Sequence, residues 1–256
     1  MKIELLPSTI ENGRAVNRQH LSCFVLDDKI AIDAGCLPLG ASRVQIQNIR
    51  DVVLTHAHID HIAGLPLFID DLFSELKSPV KVHSAEEVNA VLQKHIFNWE
   101  VYPDFSELEN ENGPVLEYVD FEPGASFAIG DFSIRGIPVN HKVPSYGFVV
   151  EKEKKTLALT GDTAEMNGFW SEVNGCETLE ALLVECAFPN ELSELAEVSH
   201  HLTPNRLAAE LDRFEVDCPV LAINLKPAYR DDTERQIKDL GIENLSVMEI
   251  GTPYRF

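Results

Sequence analysis

The sequence predicts a mixed α/β (α+β) protein made of two β-sheets covered by helices. Three observations carry that expectation. Short apolar runs recur through both halves of the chain, several joined by tight turns. Helical stretches follow strands within each half, so each half brings its own outer cover. Finally, 256 residues at 45% hydrophobic content bury a large core, and no linker is visible, so one domain over 1–256 is expected.

The first half reads as follows. Ile3-Glu4-Leu5-Leu6 is a short strand. Cys23-Phe24-Val25-Leu26 and Ile30-Ala31-Ile32 flank Asp27-Asp28, which predicts a hairpin. It runs into Asp33-Ala34-Gly35, an acid before a turn glycine. Asp33 is either a turn cap or a brace for a metal-bound histidine. Residues 40–50 form a short helix or turn, Val52-Val53-Leu54 a buried strand, and 65–76 a helix. Val80 to His83 is a strand, and 86–96 a helix with Val88, Val91, Leu92 and Ile96 on one side. His83 and His95 have no ligand partner nearby and read as structural. The aromatic connection at 97–105 reads first as packing, with base stacking by Trp99 or Phe97 a weaker option. The polar stretch 107–114 is expected to be a mobile loop.

Between strand and helix lies Thr55-His56-Ala57-His58-Ile59-Asp60-His61. Three of the nine histidines and an acid fall within this loop. Residues two apart point the same way in an extended segment, so His56 and His58 can grip one ion. Asp60 is placed to cap the following helix, and Asp60 and His61 face a neighbouring second position. Imidazoles with one carboxylate suit zinc, or manganese or iron, better than magnesium or calcium.

The second half repeats the theme without a residue-level repeat. Gly130-Asp131 joins two apolar runs in a hairpin. Residues 137–141 end a strand on His141. A second hairpin, 146–151 with 156–160, runs into Gly161-Asp162-Thr163. Residues 182–186 form a buried strand carrying Glu185, 205–214 a helix, 219–224 a core strand, and 232–240 a helix stopped by Gly241. His141 and Asp162 end core strands, where side chains converge on one rim of a sheet. They therefore complete two metal positions, and the two oxygens of Asp162 make it the candidate bridge.

Composition narrows the partners. No apolar run is long enough to span a membrane. The N-terminus lacks the basic region and apolar core of a signal peptide, so a cytoplasmic protein is expected. Five scattered cysteines form no CxxC pair and read as reduced thiols. With 21 Lys+Arg against 42 Asp+Glu, the formal charge is -21. That field repels long nucleic acids but admits a small substrate whose negative charge bound metals offset.

Taken in order, Asp33-Ala34-Gly35, His56-Ala57-His58-Ile59-Asp60-His61, His141 and Gly161-Asp162-Thr163 resemble the metallo-β-lactamase fold superfamily. The finer similarity is to class II 3′,5′-cyclic-nucleotide phosphodiesterases. It rests on 55–66, 95–105, His141-Lys142-Val143-Pro144, Glu185-Cys186-Ala187-Phe188, His201-Leu202-Thr203-Pro204 and Leu225-Lys226-Pro227. The resemblance implies a four-layer αββα sandwich, two divalent ions (zinc first, manganese or iron next) and hydrolysis of cyclic nucleotides to 5′-monophosphates. It assigns His56, His58 and His141 to one ion, Asp60, His61 and Asn224 to a second, and Asp162 to both. His201 would face the phosphate, and Glu185 would orient it. It also admits a homodimer, with 97–105 as a contact.

One residue departs from that pattern. Asn224 stands where such phosphodiesterases carry a histidine ligand, so the second ion binds weakly, is a harder ion, or recruits another ligand. His200 is left between a surface neighbour of His201 and a substitute ligand. The alternatives on this fold are a lactonase, a thioesterase or an RNA-processing nuclease, and beyond catalysis a metal- or nucleotide-binding module.

Overall fold

Asp27 and Asp28 both take left-handed backbone angles, φ 45° and 56°. With Lys29 they make a tight three-residue turn, closed by the Lys29 N–H on the Leu26 carbonyl at 2.9 Å, that pairs Phe24–Leu26 antiparallel with Ile30–Ile32. The same logic recurs at Gly130 (φ 57°), where Ser126–Ile129 meets Phe132–Pro138. These hairpins begin two sheets. The computed structural model describes residues 1–256. Its chain divides into one unit of Met1–Glu122 with Ile250–Arg255 and another of Pro123–Glu249 with Phe256.

In the first unit the strand order is Leu116–Asp120, Val80–Ser84, Asp51–Val53, Ile30–Ile32, Phe24–Leu26, Lys2–Leu5 and Pro253–Arg255. In the second it is Leu245–Val247, Val220–Ile223, Leu179–Glu185, Lys155–Leu159, Tyr146–Lys152, Phe132–Pro138 and Ser126–Ile129. Read in these orders, each sheet has three parallel pairings and then three antiparallel ones. The two units therefore share one strand plan. In parallel sheets, side chains for chemistry gather beyond the carboxyl ends of the strands. Asp33 and Asp162 both follow the fourth strand in these orders, where the pairing changes from parallel to antiparallel. Thr55 to His61 and Glu185 belong to the end of the third, and Asn224 to that of the second.

Helices pack on these sheets. Glu86–His95 lies on Val80–Ser84 and Leu116–Asp120, and Gly168–Asn174 lies on Phe132–Pro138. Arg230–Asp239 lies on Leu245–Val247 and on Pro204–Leu211. In the second unit these helices bury one sheet face in a core of Val149, Ala158, Phe169, Trp170, Leu182 and Leu207, among others. Ser42 and Gln45 form a reciprocal capping box that starts Arg43–Asn48 where the sequence reads a short helix.

Several local expectations are corrected. The predicted helix at 65–76 stops at Leu72, and the chain tightens into turns. The free carbonyls of Phe73 and Leu76 are taken by Asn110 and Asn112 side chains at 2.7–3.0 Å. Those bonds tie down 107–114, which carries a small hairpin of Glu109–Asn110 with Gly113–Pro114 in place of a mobile loop. The strand Leu116–Asp120 and the helices Gly168–Asn174 and Ser193–Ser199 carry weak local signals and are not among the elements the sequence predicts. Gly168–Asn174 is held by tertiary contacts: Phe169, Trp170 and Val173 are buried, and the Trp170 indole donates to Glu210 at 2.7 Å. No helix is long and apolar enough to cross a membrane. All five cysteines are free, and four are buried.

Candidate metal centre

In the first unit a single acid organises the ligand loop. Asp33 is buried and left-handed (φ 59°). Its Oδ1 accepts from the Thr55 backbone N–H at 2.9 Å and from the Thr55 hydroxyl at 2.9 Å. Its Oδ2 accepts from His61 Nδ1 at 2.6 Å. A carboxylate can only accept, so His61 carries its proton on Nδ1 and has Nε2 as its ligand atom. Thr55 Oγ1 also lies 3.0 Å from His56 Nδ1, which likewise makes Nε2 the ligand atom of His56. That nitrogen is 3.0 Å from His58 Nδ1. Two imidazole ligands at about 2.0–2.1 Å on a tetrahedral ion would stand about 3.3 Å apart, so this spacing suits a shared ion. Ligand nitrogens of His56 and His61 lie within 4.8 Å of each other.

Asp60 does not cap the next helix. It lies inside Ile59–Ile62, whose N-cap is His58, and no side chain caps that end. An acid in a first turn is favoured by the helix dipole without a cap bond. Its carboxylate stays accessible, 4.0 Å from His61 Nε2. Its carbonyl accepts from Ser22 N at 2.8 Å, and the His61 carbonyl from Ala34 N at 2.7 Å. The turn at 33–35 therefore lies against the ligand loop backbone to backbone. A Cβ on Gly35 would stand 2.0 Å from the Asp60 carbonyl oxygen. Gly35→Ala is accordingly expected to cost about 3 kcal/mol or more and to weaken metal binding, as read by denaturant unfolding and metal titration. An alanine variant of unchanged stability would mean that the turn shifts freely.

In the second unit, ligand atoms of His141, Asp162 and His201 lie within 4.8 Å of one another. His141 Nδ1 donates to the carbonyl of His200 at 3.0 Å, which leaves Nε2 as its ligand atom. His200 itself ends Ser193–Ser199 in a left-handed conformation, and its Nδ1 meets Asn140 Oδ1 at 3.0 Å. Its contribution is thus a backbone carbonyl rather than a substitute ligand, a role no sequence signal marks. Asp162 follows Gly161 (φ 64°) and is buried. Its Oδ1 accepts from Asn224 Nδ2 at 2.6 Å.

His201 and Glu185 form a buried pair. His201 Nδ1 bonds Glu185 Oε1, and the Leu202 N–H donates to Oε2 at 2.8 Å. Burial pushes the Glu185 carboxyl up to about 7, against the hydrogen bond and charge of His201. Burial pulls the His201 imidazolium down, but the hydrogen bond and charge of Glu185, with the charge of Asp162, outweigh it and raise its pKa. Phe188 packs edge-on against His201, with centroids 5.5 Å apart.

The remaining candidates sort plainly. His83 Nε2 meets Asp51 Oδ1 at 2.8 Å, the structural role expected of it. Phe97 is fully buried and offers no ring for base stacking, whereas Trp99 is 56% exposed with its indole N–H on Glu107. The donor set fits divalent metal. Three imidazoles have Nδ1 oriented by a hydrogen bond, which makes Nε2 the ligand atom of each, and the buried Asn224 Oδ1 has no hydrogen-bond partner.

Comparison with known proteins agrees with this chemistry. The profile of the beta-lactamase superfamily domain matches residues 30–221. A probable 3′,5′-cyclic-nucleotide phosphodiesterase of Yersinia pestis is 24% identical over 280 residues, covering 95% of this chain and 77% of that protein. A 3′,5′-cyclic-nucleotide phosphodiesterase of Aliivibrio fischeri is 29% identical over 183 residues, covering 65% of this chain and 54% of that protein. This chain thus spans about half the length of some of its relatives. Ribonuclease Z proteins are also among them. Unliganded yeast PDE1 superposes with a TM-score of 0.77 at 18% identity, covering 98% of each chain, a likeness of fold.

Proposed function

The chain belongs to the beta-lactamase superfamily and has the metallo-β-lactamase fold, and on that premise we propose that it is a metal-dependent phosphodiesterase opening 3′,5′-cyclic nucleotides to 5′-monophosphates. It is a metallo-hydrolase by kinship, and the fold implies divalent ions. We assign His56, His58 and His141 to one ion, Asp60, His61 and Asn224 to a second, and Asp162 to both, within one catalytic domain. Zinc is the first ion by donor type, with manganese or iron as alternatives. Five free thiols suit a reducing, cytoplasmic setting.

One observation carries the phosphodiester reading. A buried imidazole that is not needed as a ligand, His201, sits beside His141 and Asp162 with its other nitrogen braced by Glu185. Divalent ions there supply Lewis acidity, acidifying water and offsetting charge that builds on the phosphoryl oxygens. His201 passes a proton from Nε2 to the departing 3′ oxygen. Glu185 fixes the ring and stabilises its charged form. Asp33 and Thr55 hold His61 and His56 in their tautomers. A lactonase or thioesterase has no use for a phosphate-facing His201. The ribonuclease Z relatives favour an RNA substrate as the second reading, against which stands the charge of -21.

The test is product formation from 3′,5′-cyclic AMP by protein reconstituted separately with zinc, manganese and iron. Conversion to 5′-AMP is expected, with a loss of at least about 10³-fold in His58→Ala. Ions that stay bound without turnover in any preparation would sink the cyclic-nucleotide assignment and leave a binding module.

A further inference from the structure

Asn224 carries more than a ligand assignment. It follows the strand Val220–Ile223 in a left-handed conformation, φ 61°. Asn is among the few residues that tolerate that region, and strained backbone gathers at functional sites. Its Nδ2 donates to Asp162 Oδ1 at 2.6 Å. A carboxylate has no proton to give, so this contact fixes which end of the amide faces Asp162. The other end, Oδ1, is buried and has no hydrogen-bond partner. An orphaned carbonyl oxygen beside a buried carboxylate is the signature of a missing electrophile, either a cation or an ordered water.

We propose that Asn224 Oδ1 and Asp162 share one ion, and that this pair makes the position selective for a hard, oxygen-preferring ion of the manganese(II) class over zinc. The proposal rests on the metallo-hydrolase reading above. An amide oxygen is neutral and hard, and carbonyl, carboxylate and water ligands suit manganese and magnesium. Zinc gains most from imidazole nitrogen and thiolate sulfur, and Asn224 leaves His61 as the one imidazole assigned to this ion. The protein therefore holds zinc on its imidazole-rich ligands and a different ion on the Asp162–Asn224 pair.

The experiment reads metal, not turnover. Chelator-stripped full-length protein is titrated with manganese(II), the free ion being followed by electron paramagnetic resonance. It is also titrated with zinc in competition with a chromophoric chelator, and both titrations are repeated on Asn224→His and Asn224→Asp. Histidine and aspartate also tolerate the left-handed region, so both variants should fold. In the wild type, one zinc equivalent should bind tightly and manganese should take the second position. Asn224→His should tighten the second zinc at least about tenfold relative to manganese, and Asn224→Asp should retain manganese. Two equally tight zinc equivalents in the wild type, or a zinc-to-manganese ratio unchanged in Asn224→His, overturns the proposal. A purely structural Asn224 predicts something else: Asn224→Asp, unable to donate to Asp162, would melt lower without metal and leave the ratio untouched. Mixed-metal binding without hydrolysis of cyclic AMP would sink only the phosphodiesterase reading. Hydrolysis by a two-zinc protein would sink only this one.

Discussion

Replacing His201 with alanine is expected to lower hydrolysis of 3′,5′-cyclic AMP by about 10²- to 10⁴-fold while metal content stays at the wild-type level. The expectation follows from how the ring is held. Its Nδ1 is committed to Glu185, so only Nε2 is available to the substrate. The Glu185 hydrogen bond and charge raise the pKa of the ring, the direction that suits a proton donor. Removing the ring leaves Glu185 buried and accepting from the Leu202 N–H, and its raised pKa lets it take up a proton rather than stand as a bare charge. Folding should survive, and thermal unfolding checks that. The decisive comparison uses a phosphodiester with a p-nitrophenolate leaving group, which departs without help from an acid. His201→Ala should slow that substrate by no more than about tenfold, because general-acid catalysis is then dispensable. Equal losses on both substrates would make His201 a charge stabiliser instead. Full activity on cyclic AMP would show that His201 takes no part in the hydrolysis.

What could be read from the chain, and what could not, divides along a physical line. The ligand loop was legible because its side chains are packed into adjacent positions after an apolar strand, a pattern that survives without knowledge of the fold. The hairpins at Asp27-Asp28 and Gly130-Asp131 were legible because left-handed turns demand particular residues. Contacts between distant backbone segments were not legible. The His200 carbonyl that orients His141, and the Ser22 N–H that holds the Asp60 carbonyl, belong to groups every residue carries. Thr55 was visible only as the first residue of the loop, although its hydroxyl links Asp33 to His56. The shared strand plan of the two units is a matter of connection and direction, so no residue repeat announces it. Asn110 reads as a turn residue, yet it finishes a helix more than thirty positions away.

Asp33 offers the second large effect, and it resolves the choice between brace and turn cap. Asp33→Ala removes the acceptor of the Thr55 N–H, the Thr55 hydroxyl and His61 Nδ1 in one step, inside a buried site. It also places alanine at φ 59°, where a Cβ is disfavoured. Unsatisfied buried donors and strain together should cost about 3–5 kcal/mol. For a chain of this size that is a fall of roughly 6–20 °C in melting temperature. Asp33→Asn separates the two roles. Asparagine tolerates the left-handed backbone, and its Oδ1 still accepts from Thr55, so the turn should persist with a loss of about 1–2 kcal/mol. Its amide nitrogen cannot accept from His61 Nδ1, so the imidazole loses the bond that fixes its tautomer and direction. Metal affinity should then fall by about 10- to 100-fold in a protein that still folds. Wild-type metal affinity in Asp33→Asn would show that His61 needs no brace, and would leave Asp33 as the cap of its own turn. Weakened metal binding at near-native stability would place Asp33 in the metal centre, acting through a histidine it never lets go.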